Sequence, residues 1–145
     1  MITNQREYRV TKSWMARFEK DLVVNDTREI GPDVDPRMRQ VMHDALASEI
    51  EILRGQMDHY EQLRDGRITS REITSLRELP ITLIEARIAA GQSQRTLAEQ
   101  IGVAEQQIQR WEANEYSGVN LDRLQSIADA LGMRIHKTIT YSSAA

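Results

Sequence analysis

Cysteine is missing from the 145-residue chain, which excludes a disulfide framework, a thiol nucleophile and any metal site built on thiolates. Aromatic residues make up only 5% of the chain, with a single phenylalanine, so a core here must rest on aliphatic side chains. Three prolines and seven glycines leave long stretches without a helix breaker. No apolar run approaches about 18 residues, so no membrane-spanning helix is expected. The opening segment, Met1 to Arg9, has no apolar core of the secretory kind, and the chain is read as cytoplasmic.

Catalytic signatures are also missing. No nucleophile elbow, phosphate-cradling glycine loop or paired carboxylates in a catalytic setting can be found. His43, His59 and His136 are scattered, and none stands at a metal-ligand spacing such as H-x-x-x-H. The chain is read as a non-enzyme with no cofactor and no metal.

What is present is helix-forming: Ala, Leu, Ile, Glu, Gln and Arg dominate a chain that is 40% hydrophobic, which predicts an all-α fold. An extended piece is predicted near Tyr8 to Val10, followed by a helix capped by Thr11 that carries Trp14, Phe18 and Leu22. Residues 26–34 read as a loop. Asp35-Pro36 is a strong helix start, with an acceptor side chain at the cap and proline in the first turn. From there to Leu63, residues Met42, Leu46, Ile50, Leu53, Met57 and Tyr60 form one apolar stripe. That stripe needs a partner, either the first helix folded back as a hairpin or a second subunit in a coiled coil.

The turn-rich stretch from Arg64 to Ser75 suggests a boundary, giving an N-terminal helical region over 1–75, for dimerisation or partner binding, and a second domain over 76–145. Leu79-Pro80 leads a helix with Leu83, Ile84, Ile88 and Ala89 inward, ended by Gly91. Ser93 caps the next helix, with Thr96 leaving its capping box half-formed. Asn120 caps another that bears Leu121, Leu124, Ile127, Ala128 and Leu131 and stops at Gly132. The tail then turns to period two, with Met133, Ile135, Ile139 and Tyr141 on one face. This is a strand signal that demands pairing with the N-terminal piece or with a second copy.

The most informative stretch is 93–114, S-Q-R-T-L-A-E-Q-I-G-V-A-E-Q-Q-I-Q-R-W-E-A-N. A short helix with Leu97, Ala98 and Ile101 inward runs into Gly102, where a sharp turn favours a residue without a β-carbon. Val103 plugs the corner. A second helix buries Ile108 and Trp111 and shows Glu105, Gln106, Gln109 and Arg110 on another face. One helix propped by another, with amide and guanidinium groups outward, is the geometry of a helix-turn-helix DNA reader.

Residues 79–132 resemble the Xre family, the lambda-repressor-like domain of phage repressors and bacterial antitoxins. The resemblance is carried by Gln94, Leu97, Ala98, Gly102, Val103, Ile108, Trp111 and Glu112, and by the L-x-x-L-x-x-I-A-x-A-L-G ending at Gly132. It implies a lambda-repressor-like helix bundle behind an N-terminal helical extension. Gln94 would then hold backbone phosphate, and Glu105, Gln106, Gln109 and Arg110 would face the major groove. The chemistry fits, since Gln pairs with adenine, Arg with guanine, and Glu accepts from cytosine N4. Arg95 is a phosphate contact or a solvated residue. Tyr116, Ser117 and Asn120 lie where family members touch phosphate, or on an ordinary surface loop. Trp111 and Glu112 read as structural.

The net charge of −3 is low for a DNA binder, and residues 76–145 hold seven Arg and Lys against eight Asp and Glu. Placement outweighs the total, because phosphates sense charges within about 8–10 Å. The resemblance implies a dimeric, sequence-specific regulator, a repressor of its own operon, bound to palindromic double-stranded DNA. The alternative is an antitoxin of the HigA kind that neutralises a protein toxin and autoregulates, although residues 1–75 carry no recognised antitoxin motif.

Overall fold

The computed structural model describes residues 1–29, 31–32 and 35–142, and those residues form six α-helices and one short 3-10 turn, with no strand. None of these helices is long and apolar enough to cross a membrane.

Helix α1, Gln5–Thr27, starts earlier than Thr11. Asn4 accepts from the Glu7 amide at 2.9 Å, and Glu7 reaches back to the Thr3 amide at 2.8 Å. This reciprocal cap places the predicted extended piece, Tyr8 to Val10, inside the helix, and Thr11 is a helical residue rather than a cap. Phe18 and Leu22 are half-buried as expected, while Trp14 is exposed.

Helix α2, Pro36–Arg64, begins as the sequence predicts, with Asp35 accepting from the Arg37 amide at 2.8 Å and proline in the first turn. The two helices form a hairpin. Tyr8 stacks on Tyr60 at 5.4 Å and its hydroxyl donates to Glu61. Further along, Arg54 pairs with Glu19 at 3.2 Å and His43 with Asp26 at 3.0 Å. The apolar stripe of α2 therefore finds its partner largely within the chain, since Ile50, Met57 and Tyr60 are buried. Met42 is the exception, at 48% exposed. Of the predicted loop 26–34, Asp26 and Thr27 belong to α1, and Ile30, Asp33 and Val34 lie outside the described residues.

Ser75 opens the second half with a complete capping box to Glu78, over the 3-10 turn Leu76–Glu78. The helices α3 (Leu79–Ala89), α4 (Gln94–Ile101), α5 (Glu105–Ala113) and α6 (Leu121–Ala130) follow. Leu83, Ile84, Leu97, Ile108 and Ile127 are fully enclosed among them. Ala89, predicted inward, is exposed at the last position of α3, and Leu121 at the first position of α6 is 71% exposed.

One core joins the two halves. Met57, Tyr60 and Leu63 of α2 pack in the same cluster as the residues of α3 to α6, and so does Ile2 at the start of the chain. Removing a side chain such as Ile2 from water contributes about 1.5–3 kcal/mol. Glu85 of α3 closes the seam with polar contacts, receiving Arg71 at 2.7 Å and His59 at 2.9 Å.

The tail corrects another expectation. Met133 to Thr140 form no strand, and Ile135, Ile139 and Tyr141 are exposed. Of the two predicted partners, the N-terminal piece is helical and a second copy is not present here, and a strand without a ladder has too few interactions to persist.

Candidate nucleic-acid interface

The angle between α4 and α5 is set locally. Ser93 accepts from the Thr96 amide at 3.0 Å and so starts α4. Gly102 ends it at φ +71°, in the left-handed region, with open space where a β-carbon would be. Glycine is needed there for its backbone freedom and not to avoid a clash. Val103 is half-buried in the corner, and its amide donates to the Ala98 carbonyl at 2.9 Å.

Behind α5 lies a buried polar network. Arg87 donates from Nε to Glu112 Oε1 at 2.5 Å and from Nη2 to Glu112 Oε2 at 2.7 Å. Its remaining donors reach the Gln92 carbonyl at 2.9 Å and the Thr3 carbonyl at 2.6 Å. Gln94 Nε2 completes the Glu112 carboxylate at 2.7 Å. The network ties α3, the first residue of α4, α5 and the N-terminal segment together. Charge buried this deeply is tolerable only when it is paired and fully hydrogen-bonded.

On the other side of α5, Gln106, Gln109 and Arg110 are exposed. Glu105 is held between neighbours, receiving Arg95 Nε at 3.0 Å and Gln109 Nε2 at 3.2 Å. A carboxylate thus orients two of the donors around it, one on α4 and one on α5. The exposed face offers amides that can both donate and accept, together with one guanidinium fork.

Of the predicted site residues, the structure brings Arg95, Glu105, Gln106, Gln109 and Arg110 onto one face formed by α5 and the start of α4. Gln94 stands at the first position of α4 but is buried, with its amide committed to Glu112. Ser117 and Asn120 lie beyond α5, lining a shallow depression with Trp111 and Arg123. Asn120 there accepts from the Arg123 amide at 2.9 Å and caps α6.

Tyr116 departs from the surface or phosphate-touching position expected of it. It is 2% exposed, its ring lies 6.4 Å from that of Trp111, and burial raises its hydroxyl above the ordinary tyrosine range. Tyr116 adopts φ +55°, with Glu115 before it at +48°, and this left-handed turn folds the side chain inward. It is a core residue.

Sequence reasoning missed Arg87 and Arg123. Arg87 interrupts the apolar helix α3, and the available signal was a charge set between Ala86 and Ile88 in that helix. Arg123 stacks over Trp111 at 5.9 Å from the ring centroid, beside Asn120, so one cation stands at the end of the reading surface. The pairs His43–Asp26 and His59–Glu85 were missed as well, since each joins separate helices. Among the described residues no group of three or more His, Asp or Glu side chains is placed to hold a metal ion.

Comparison with known families finds that residues 83–137 match a helix-turn-helix family model, of the Xre and lambda-repressor-like kind. The matched segment takes in most of α3, all of α4 to α6 and the start of the tail. No curated protein and no solved structure matches the chain. Residues 83–137 are thus similar to helix-turn-helix domains, and the comparison extends to no other part of the chain.

Proposed function

We propose, with the helix-turn-helix domain over residues 83–137 as the premise, that the protein is a sequence-specific repressor that reads the major groove with α5. The observation that carries this reading is the exposed face of Gln106, Gln109 and Arg110 on a helix buttressed from behind by the Arg87–Glu112 pair. Gln and Arg are the side chains that pair bidentately with adenine and guanine in the major groove. A buried ion pair beneath them holds the helix axis, so the outward groups keep one register against the base edges.

Phosphate contacts would come from Arg95, Ser117, Asn120 and Arg123 around that face, and from the backbone amides at the starts of α4 and α6. The second N–H of Gln94 Nε2 supports a phosphate contact for that residue too. The protein acts as a binder and carries out no reaction. Two-fold pairing would let two reading helices engage a palindromic operator, with half-sites about 10 bp apart or a multiple of that. An exposed apolar surface around the tip of the α1–α2 hairpin, with Val23, Val41 and Met42, supports that pairing.

The test is a mobility-shift assay on the DNA upstream of the gene, against a scrambled duplex of equal length. Preferential retardation of the upstream duplex is expected. Equal affinity for both duplexes would remove sequence-specific repression, and no retardation of either would remove DNA binding.

A further inference from the structure

Helix α1 contains five Arg and Lys residues, Arg6, Arg9, Lys12, Arg17 and Lys20, and four acids, Glu7, Glu19, Asp21 and Asp26. The two signs are not mixed around the helix. Glu7 is used by the N-terminal cap, Glu19 by Arg54 of α2, and Asp26 by His43 of α2. Glu19 and Asp26 are thereby paired with α2, while Glu7 is held by neutral donors at the cap and Asp21 has no ion-pair partner among the described residues.

The bases point the other way. The half-buried residues Tyr8, Thr11, Met15, Phe18 and Leu22 mark the face that packs on α2. At 3.6 residues per turn, Arg6, Arg9, Arg17 and Lys20 fall within about 80° of arc, centred opposite that face. All four are exposed, and none has an ion-pair partner among the described residues. They form a cationic ridge about 21 Å long, from a rise of 1.5 Å per residue.

One end of the ridge faces the reading surface across a cleft. Arg6, at its near end, lines a cleft of about 1180 Å³ whose opposite wall includes Gln94, Glu105 and Gln109. The Thr3 carbonyl, three residues before Arg6, is anchored to Arg87 at 2.6 Å, which holds this end of α1 against the helix-turn-helix domain. The start of α1 is therefore fixed beside the groove-facing helix and not merely tethered to it.

We propose that the outer face of α1 is a second DNA contact, in which Arg6, Arg9, Arg17 and Lys20 lie against the phosphates flanking the segment read by α5. This rests on the reading of α5 as the groove helix. The ridge would span roughly 6 bp of backbone at 3.4 Å per base pair. It also bears on the charge balance through placement: residues 1–75 hold twelve Arg and Lys against fourteen Asp and Glu, but four of those cations share the outer face of α1.

Phosphate contacts add affinity without sequence preference and steepen the salt dependence by about 0.9 per neutralised phosphate. The full chain with Arg6, Arg9, Arg17 and Lys20 all changed to Gln is compared with the native chain on the upstream and scrambled duplexes, across a series of salt concentrations. The variant is expected to bind both duplexes at least about tenfold more weakly, with the salt slope reduced by about 2–4 and the preference between duplexes kept. Far-UV circular dichroism and a thermal melt check its fold, and the milder pair Arg9→Gln with Lys20→Gln is expected to give about half the slope change. Gln106→Ala is expected to do the reverse, lowering the preference with the slope unchanged. A folded four-site variant with native slope and affinity would overturn the ridge while leaving α5 as the reader. Failure of the native chain to bind either duplex would overturn both.

Discussion

Arg87 and Glu112, 25 residues apart in sequence, meet in a two-pronged ion pair that is almost sealed from water, with the two side chains 3% and 1% exposed. Burying either charge without the other would be costly. Each is satisfied by the other and by the surrounding carbonyls and the Gln94 amide, and the pair fixes α5 against α3 from the side opposite Gln106 and Arg110.

Breaking that pair from one side should be costly. Glu112→Ala leaves a buried guanidinium short of its acceptor, and the expected loss of unfolding free energy is about 3–5 kcal/mol. Replacing both partners by apolar groups, Arg87→Met with Glu112→Leu, should cost clearly less than the sum of the single changes. Urea unfolding measures all three. If Glu112→Ala unfolds within about 1 kcal/mol of the native chain, the pair is not the support described here.

Base readout by α5 gives a second expectation. Gln106→Ala and Arg110→Ala should each lose about 1–3 kcal/mol of specific binding and little non-specific binding. Gln94→Ala should instead weaken all sequences alike, and it should also lower stability, because Glu112 loses a donor. Operator titrations paired with melts separate the two patterns. Native operator affinity in both the Gln106 and Arg110 variants would remove α5 as the reading helix.

The bond between His43 and Asp26 predicts a pH effect in the hairpin. The hydrogen bond to Asp26, reinforced by its charge, raises the His43 imidazole above its ordinary 6.5, and the same bond lowers Asp26 below its ordinary 3.8. A raised histidine stabilises the fold fully below 6.5 and loses that contribution as pH rises through the shifted value. A lowered carboxyl stabilises above 3.8 and loses its contribution as pH falls. The pair therefore helps most between those limits, and modestly, since both groups are well exposed. An NMR titration should place the His43 midpoint above 6.5 in the native chain and nearer 6.5 in Asp26→Asn. Identical midpoints would show that the bond does not form in solution.

What could be read from the residues alone follows a physical division. Signals that close within a few residues were legible: Asp35-Pro36 for α2, Ser93 and Gly102 for α4, Asn120 and Gly132 around α6. The start of α1 has an equally local signal in Asn4 and Glu7, and it outweighs the extended piece expected near Tyr8 to Val10. The exposed side of α5 was legible too, since its phase is set by Ile108 against the core. Arg87, the two histidine pairs and the inward turn of Tyr116 were not. Each depends on which distant helix or backbone conformation meets the side chain, and period and composition carry no record of that. The tail shows the opposite failure, a period-two pattern with no ladder to join.

Self-association is the last expectation, and the burial of the α2 stripe changes which residues would carry it. Ile50, Met57 and Tyr60, the middle of the predicted interface, face inward, so Leu53→Glu would disturb the hairpin itself rather than a dimer. The surface left for a second copy is the outer side of α2, where Met38, Val41, Met42 and Ile52 are between 48% and 62% exposed, with Val23 and Val24 of α1 nearby. A carboxylate placed there sits in water in the monomer but is buried without a partner in a dimer, a penalty paid only on association. Val41→Glu with Ile52→Glu should therefore leave the thermal melt of the monomer close to native, while lowering both the dimer fraction and operator affinity. Light scattering at micromolar concentration, with operator titration beside it, measures the two effects together. A native chain that is monomeric and still binds a two-fold operator tightly would exclude this face as a dimer interface. A double variant that stays dimeric would place the contact elsewhere on the chain.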